Sequence, residues 1–156
     1  MTIHRQSNAS NPDRCSEILS GVSVSALPVI FPVHPRTKLL LTRSNISIPK
    51  SVTMVEPLGY FSFLGLVKDA AFVVTDSGGL MREAAWLGVP TAVMREETEW
   101  PELVRAGWNV LVGADAARIA RAVRKQRRIK PFGHAFGDCR VSARIVQSLS
   151  RWFRDE

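Results

Sequence analysis

The chain has 156 residues, 46% of them apolar and 22% charged, and it carries a formal net charge of +7. This length suits one domain that buries a hydrophobic core, and the composition excludes a disordered chain. No apolar run is long enough to cross a membrane, and residues 1–5 do not resemble a signal peptide. The two cysteines lie far apart in the sequence, which is typical of reduced thiols, so the sequence predicts a cytoplasmic protein.

The first predicted elements are a short apolar start, a polar loop at residues 4–8 and a helix. Asn11 suits the N-cap of this helix and Pro12 its first position. We expect the helix to run to about Ser20, where Gly21 could terminate it, with residues 22–25 as a poor continuation. His4 would then lie on a loop between a strand and a helix, where a single histidine carries little functional information by itself.

Two strands and an aromatic-rich helix come next. Residues 29–33 are typical of a buried parallel strand, which ends in a loop at His34, and residues 52–55 predict a second, shorter strand. Residues 38–50 between them predict a helical or irregular connection. The aromatic spacing in the following helix favours a core position for Phe61.

The most informative stretch is a strand at residues 71–75, a glycine turn and the start of a helix. Gly78 and Gly79 lack the Cβ atoms that would keep a ligand from the backbone, and the amides of a first helical turn suit a phosphate or diphosphate. Glu83, one turn further in, could accept hydrogen bonds from the hydroxyl pair of a ribose. The pattern indicates a nucleotide site; a plain strand–helix turn with a solvated Glu83 is the alternative, because glycine motifs alone are weak signals.

The second half of the chain contains two more strands, an acidic loop and a basic helix. Residues 91–94 and 107–113 predict the strands, and four carboxylates in the loop at 95–102 require cations or hydroxyls nearby. An apolar stripe along residues 116–123 makes the basic segment a surface helix. We favour a solvated face over nucleic-acid binding because no aromatic residues are interleaved with the cations. These cations are Arg118, Arg121, Arg124, Lys125, Arg127, Arg128 and Lys130.

The last predicted element is a helix, with Asp138 as its N-cap and with Val141, Ile145, Leu149 and Trp152 at helical steps. Across the chain, helical segments alternate with strands, which predicts an α/β fold with a parallel sheet covered by helices on both faces. Ligands of such sheets bind at the carboxyl ends of the strands. One cleft is therefore expected to contain His4, His34, Phe63, Ser77 and Thr98.

Several separate segments agree in order and spacing with the non-hydrolysing UDP-N-acetylglucosamine 2-epimerases, which the chain resembles from residue 2 to about residue 145. These segments are Thr-Ile-His-Arg-Gln-Ser-Asn from residue 2, Phe-Pro-Val-His-Pro-Arg from residue 31, Thr-Asp-Ser-Gly-Gly from residue 75, Leu-Gly-Val-Pro-Thr from residue 87 and Met-Arg-Glu-Glu-Thr-Glu-Trp-Pro-Glu from residue 94. The resemblance implies that residues 1–156 form a single Rossmann-like lobe. This lobe would be the C-terminal, nucleotide-binding half of a two-lobe, glycosyltransferase-B-like fold whose N-terminal lobe is absent.

The resemblance also implies an activity. These isomerases interconvert UDP-N-acetylglucosamine and UDP-N-acetylmannosamine by eliminating UDP to a glycal and adding it back on the other face. No cofactor and no metal are expected, the homodimer is the family's usual assembly, and the groups that move the C2 proton belong to the absent lobe. We therefore expect a truncated or split epimerase that binds UDP weakly alone and turns over nothing. It would be either completed by a separately encoded N-terminal lobe or the relic of a broken gene. The alternatives are a non-catalytic nucleotide-sugar-binding module or glycosyltransferase lobe, and a basic nucleic-acid-binding protein.

Roles for individual residues follow from the same resemblance. His4 would support the departing diphosphate electrostatically or with a proton, and His34 would border a second, regulatory substrate molecule. Many relatives have Arg where this chain has Trp100, so a direct phosphate contact does not carry over to that position. The implied UDP-binding residues are Leu58 and Phe63 beside the uracil, Ser77, Gly78 and Gly79 at the diphosphate and Glu83 at the ribose, with Arg5, Thr98, Glu99 and Trp100 nearby.

Overall fold

A computed structural model describes residues 1–125 and 140–154 of the chain. The strands in these ranges are β1 (Val29–Pro32), β2 (Val52–Val55), β3 (Val73–Thr75), β4 (Thr91–Val93) and β5 (Asn109–Leu111). The helices are α1 (Gln6–Ala9), α2 (Pro12–Val22), α3 (Pro35–Arg43), α4 (Tyr60–Asp69), α5 (Gly78–Trp86), α6 (Pro101–Arg105), α7 (Ala116–Arg124) and α8 (Val141–Trp152). The five predicted strands are confirmed, and each is followed in the chain by a helix.

All strand pairs are parallel, and residues 1–3 connect the two groups of strands. β1 pairs with β2, while β3, β4 and β5 form a three-stranded group in that order. Thr2 forms a bridge with Thr75, and its amide donates to the carbonyl oxygen of Val74 at 2.9 Å. The Met1 amino group donates to the carbonyl oxygen of Ile30 at 2.7 Å. The resulting order, β2, β1, residues 1–3, β3, β4, β5, is that of a Rossmann fold, as predicted.

The helix α2 begins as the sequence predicts but does not end where expected. Asn11 caps it by accepting a hydrogen bond from the amide of Arg14 at 3.1 Å, and Pro12 is its first residue. Gly21 does not terminate the helix, because α2 continues to Val22, the first residue of the expected poor continuation. A Cβ atom at Gly21 would lie 2.6 Å from the Cβ of Ile119 in α7. The glycine therefore allows two helices to pack closely.

Two further expectations about local structure need correction. The loop predicted at residues 4–8 includes one helical turn, α1, which brings Asn8 into the protein interior. Phe61 is 85% exposed rather than part of the core. The helix α4 instead buries Val67, against which Phe63 and Leu80 pack.

The main hydrophobic core lies where α2 and α7 cover one face of the sheet, and it includes Ile18, Phe31 and Ile119. A smaller cluster lies between α4 and α5. The basic helix α7 buries Ile119 and Val123, as its apolar stripe predicts, and its cations are exposed. Arg127, Arg128, Lys130, Asp138 and Cys139 lie outside the described residues.

The apolar stripe of α8 is exposed: no residue of this helix is buried, and its larger apolar side chains are more than half exposed. The predicted helix is thus confirmed, but its apolar face is not covered by the described part of the chain. Across residues 1–125 and 140–154, no helix has the length and apolar character needed to span a membrane.

Candidate functional site

The glycine turn after β3 forms the centre of the candidate site. Ser77 caps α5, accepting a hydrogen bond from the amide of Leu80 at 3.4 Å, and Gly78 is the first residue of the helix. The amide of Ser77 donates to the hydroxyl of Thr75 at 3.0 Å. A Cβ atom at Gly79 would meet no heavy atom within 4 Å. Gly79 is exposed, so the first turn of α5 is accessible at the carboxyl end of β3, where the N-terminus of a helix favours an anion.

Asp76 attaches the His4 loop to this turn. One of its carboxylate oxygens accepts the amide of His4 at 2.8 Å, and the other accepts the amide of Arg5 at 3.1 Å and the side-chain amide of Asn8 at 2.9 Å. Asp76 and Asn8 are fully buried. A carboxylate that accepts three hydrogen bonds away from water fixes the backbone that it contacts, so the position of His4 relative to the turn is set by Asp76.

A second layer of hydrogen bonds supports Asn8. Its side-chain amide also donates to the carbonyl of Met94 at 3.1 Å, and its side-chain oxygen accepts from Nε of Arg14 at 2.8 Å. The thiol of Cys15 donates to the carbonyl of Asn8 at 3.2 Å. Burial, with a smaller effect from the Asp76 charge, raises the pKa of Cys15 to about 11, so this thiol is neutral at physiological pH. Asp76, Asn8, Arg14 and Cys15 are called the buried cluster below.

Glu99 lies between two arginines at the mouth of the turn. Its carboxylate accepts from Arg5 at 2.9 Å and from Arg95 at 2.5 Å. Hydrogen bonding from Arg95 is the main cause that lowers the pKa of Glu99. The same loop carries Glu96, which pairs with Arg118 at 3.8 Å. The expectation that cations neutralise this acidic loop is thus confirmed at these two positions.

Trp100 contacts the glycine turn directly. Its indole N–H donates to the carbonyl of Gly78 at 3.1 Å, and the guanidinium of Arg82 lies 4.5 Å from the centre of its ring. Thr98 holds the loop by accepting from the amide of Trp100 at 3.1 Å. The indole is thereby fixed to the first residue of α5, and a cation is stacked on it.

Glu83 faces Tyr60 across the open side of the site. The phenol donates to the Glu83 carboxylate at 3.1 Å, and this hydrogen bond is the main cause that raises the pKa of Tyr60. Tyr60 is exposed and Glu83 is half-buried, so the carboxylate is accessible from solvent. The pairs Tyr60–Glu83, Arg5–Glu99 and Arg82–Trp100 are called the rim below.

Not every residue predicted for the cleft joins these contacts. The side chain of Phe63 packs in the cluster between α4 and α5, so a role beside a base would fall to its backbone. Leu58 is 42% exposed in the loop before α4. His34 is exposed and caps α3, with Nδ1 accepting from the amide of Arg36 at 3.2 Å. Its predicted regulatory role stays a prediction.

Sequence reasoning gave no role to several residues that build the site. Asp76 and Asn8 stand inside the quoted motifs, yet nothing in their spacing shows that residues 68 positions apart share a hydrogen bond. Arg95, Tyr60 and Arg82 were likewise not selected. An acidic residue at the end of an apolar strand, directly before Ser-Gly-Gly, is a local signal that could point to Asp76. Such a carboxylate is expected to be buried, and a buried carboxylate needs partners.

An apolar cavity of about 350 Å³ lies apart from this edge, near the amino ends of β1 and β3. Met1, Ile30 and Val73 are among its lining residues, together with the side of α4 that carries Phe63. Such a surface does not suit a diphosphate. No cluster of three metal-binding side chains occurs within residues 1–125 and 140–154.

Residues 1–150 match the protein family described as UDP-N-acetylglucosamine 2-epimerase. The chain belongs to this epimerase family. A Pseudomonas aeruginosa relative, UDP-2,3-diacetamido-2,3-dideoxy-D-glucuronate 2-epimerase, is 36% identical over 155 residues, which cover 96% of this chain and 43% of the relative.

Solved structures of epimerase-family proteins share the fold. The Methanocaldococcus jannaschii UDP-GlcNAc 2-epimerase in complex with UDP-GlcNAc and UDP is 36% identical, with a TM-score of 0.80 over 96% of this chain and 44% of that one. The Staphylococcus aureus MnaA–UDP co-structure is 26% identical, with a TM-score of 0.81 over 99% of this chain and 44% of that one. The chain spans about 43% of the length of the curated relatives it matches, consistent with one lobe of the two-lobe fold.

Proposed function

We propose that residues 1–156 are the C-terminal, UDP-binding lobe of a UDP-N-acetylglucosamine 2-epimerase that is truncated or split. The observation that supports this proposal most directly is the joining of the His4 loop to the glycine turn through Asp76. Through that contact the backbone of the His4 loop is bonded to the residue that precedes Ser77, so the loop and the start of α5 lie at the same edge of the sheet. A diphosphate bound there would have hydrogen-bond donors on one side and His4 on the other.

Each part of UDP then has a group to receive it. The amides of Gly78 and Gly79 and the hydroxyl of Ser77 would bind the diphosphate, because the Ser77 amide is already bonded to Thr75. Glu83 would accept hydrogen bonds from the ribose hydroxyls after releasing Tyr60. Leu58 and the backbone at Phe63 would lie beside the uracil. As UDP departs from the sugar, His4 would stabilise the negative charge that develops on the diphosphate, or give it a proton.

The proton transfer at the sugar is assigned to a separately encoded N-terminal lobe. A ligand on this chain alone would contact one wall of the cleft and stay partly hydrated, so we expect weak UDP binding and no turnover. Cytoplasmic location and a homodimer also stay predictions. The names of the matched relatives give different UDP-sugars, and UDP is the part that these substrates share.

Calorimetry and an epimerisation assay test this function together. Titration of the purified chain with UDP should give a saturable signal, with ADP binding more weakly because the base differs. Neither UDP-N-acetylglucosamine nor UDP-N-acetylmannosamine should be converted until an N-terminal lobe is added. Saturable UDP binding without conversion by the two polypeptides together would favour a nucleotide-sugar-binding module. No UDP binding would overturn the proposal.

A further inference from the structure

The arginine pair around Glu99 is arranged like an occupied anion site. Arg5 comes from the loop before α1 and Arg95 from the end of β4, so two separate elements bring their guanidiniums to one carboxylate. The Arg95 side chain is only 8% exposed, whereas those of Arg5 and Glu99 are each 47% exposed. One cation is thus fixed in the structure, while the anion and the second cation face solvent.

The Glu99 carboxylate also lies against the start of α5. A Cβ atom on Gly78 would stand 3.4 and 3.5 Å from its two oxygens. This is the edge to which the amides of the glycine turn are presented and where the proposed function places a diphosphate. Glu99 therefore holds negative charge close to where a bound diphosphate would hold it.

A diphosphate is better suited than a carboxylate to these partners. It offers more oxygens and more negative charge, and a guanidinium binds phosphate oxygens in pairs. An ion pair between exposed side chains contributes little to stability, so the Arg5–Glu99 contact can be exchanged at low cost. Arg95 is far less exposed, so Glu99 can leave it only when another anion takes its place, which the diphosphate would do.

We propose that Arg5 and Arg95 are diphosphate-binding residues and that Glu99 occupies them as an internal anion, which the diphosphate of the ligand displaces. This inference rests on the proposed function for the identity of the ligand. Glu99 keeps the arginines in place in the free protein, but it competes with the ligand for them. Binding of UDP would then include rotation of the Glu99 side chain toward solvent.

The variant Glu99→Gln tests the competition in the full chain. Losing the charge leaves two arginines without their anion, so the Tm without ligand should fall, while the affinity for UDP and for inorganic pyrophosphate should rise about fivefold or more. Uridine, which has no phosphate, should bind as it does to the wild type. The matched control is Glu97→Gln, which removes the same charge from an exposed position of the same loop and should change affinity less than about twofold.

The outcomes separate this inference from the proposed function. Equal or weaker binding of UDP and pyrophosphate to Glu99→Gln would show that Glu99 positions the arginines without competing, and would overturn the inference even if wild-type UDP binding succeeds. Tighter pyrophosphate binding with no UDP binding by any variant would support the inference and overturn the proposed nucleotide specificity. Arg5→Gln changes a side chain that is 47% exposed. It should weaken the binding of UDP and of pyrophosphate and leave the binding of uridine unchanged. Unchanged affinity for both phosphate ligands would also contradict the inference.

Discussion

The buried cluster and the rim use the same kinds of side chain in opposite ways. In the buried cluster Asp76 accepts three hydrogen bonds away from water and holds backbone in place. In the rim, Glu83 is paired with the exposed Tyr60 and Glu99 with the exposed Arg5. Breaking the first kind of contact leaves buried groups without partners, whereas the second kind can be replaced by water or by a ligand. The cluster thus sets the shape of the site, and the rim is left available for exchange.

The largest expected effect comes from Asp76→Ala, which removes the acceptor of the cluster. Two backbone amides and one N–H of the Asn8 side chain would lose their acceptor, at about 1–3 kcal/mol for each group left unsatisfied, so we expect a loss of at least about 3 kcal/mol in the free energy of unfolding. Urea denaturation measures it. Glu83→Ala in the rim is the control and should cost less than about 1 kcal/mol. Similar losses for the two variants would remove the distinction between cluster and rim.

Two glycines within helices allow the same comparison for the helices that carry residues of the buried cluster and of the rim. Gly21 lies in α2, which carries Arg14 and Cys15 of the cluster, and Gly65 lies in α4, which carries Tyr60 of the rim. Gly21→Ala should destabilise the protein by about 1–3 kcal/mol, because its Cβ would overlap Ile119.

A Cβ atom at Gly65 would meet nothing within 4 Å. Gly65→Ala should therefore stabilise the protein by about 0.5–1 kcal/mol through its higher helix propensity. Thermal or urea unfolding of both variants gives the comparison. A stabilised Gly21→Ala protein would show that α2 and α7 are packed less closely than described.

Substitutions in the rim should change the affinity for UDP more than they change the stability of the fold. Glu83→Gln keeps the shape of the side chain but weakens its acceptor strength toward a ribose, so UDP affinity should fall about tenfold, while the urea midpoint stays within experimental error. Tyr60→Phe frees Glu83 from its partner and should leave UDP affinity equal or slightly higher. Calorimetry on both variants measures this. Weaker binding by Tyr60→Phe would instead make the phenol part of the ribose contact.

A pH dependence of stability should originate in the buried cluster. Folding raises the pKa of Cys15 from 9.0 to about 11, so the unfolded chain loses its thiol proton first as pH rises. The stabilisation is complete below pH 9 and is lost as pH rises from 9 toward 11. Between pH 8 and 10 the wild type should lose about 1 kcal/mol more than Cys15→Ala. Equal losses in the two proteins would place Cys15 in contact with water.

The strand positions and the parallel sheet could be predicted because short apolar runs and their spacing report directly on burial. The glycine turn could be predicted for a similar reason, since Ser77, Gly78 and Gly79 are adjacent in the chain. Helix α8 could also be predicted, because the helical spacing of its apolar residues is visible within one short segment.

What the sequence could not provide is contact between distant segments. Gly21 was interpreted as a helix end because its role depends on Ile119, almost a hundred positions later. The spacing of the aromatic residues favours a core position for Phe61, but α4 turns that residue outward. Asp76 was left without a role because its partners come from the other end of the chain.

The hydrogen bond from Trp100 to Gly78 gives the protein a built-in optical reporter. Indole emission depends on the polarity and charge around the ring, and this ring is joined to the first residue of α5 while Arg82 stacks on it. An anion arriving at the glycine turn would alter that surrounding field. Ligand occupancy could therefore be followed by fluorescence without any label, with Trp100→Phe identifying the part of the signal that comes from this ring.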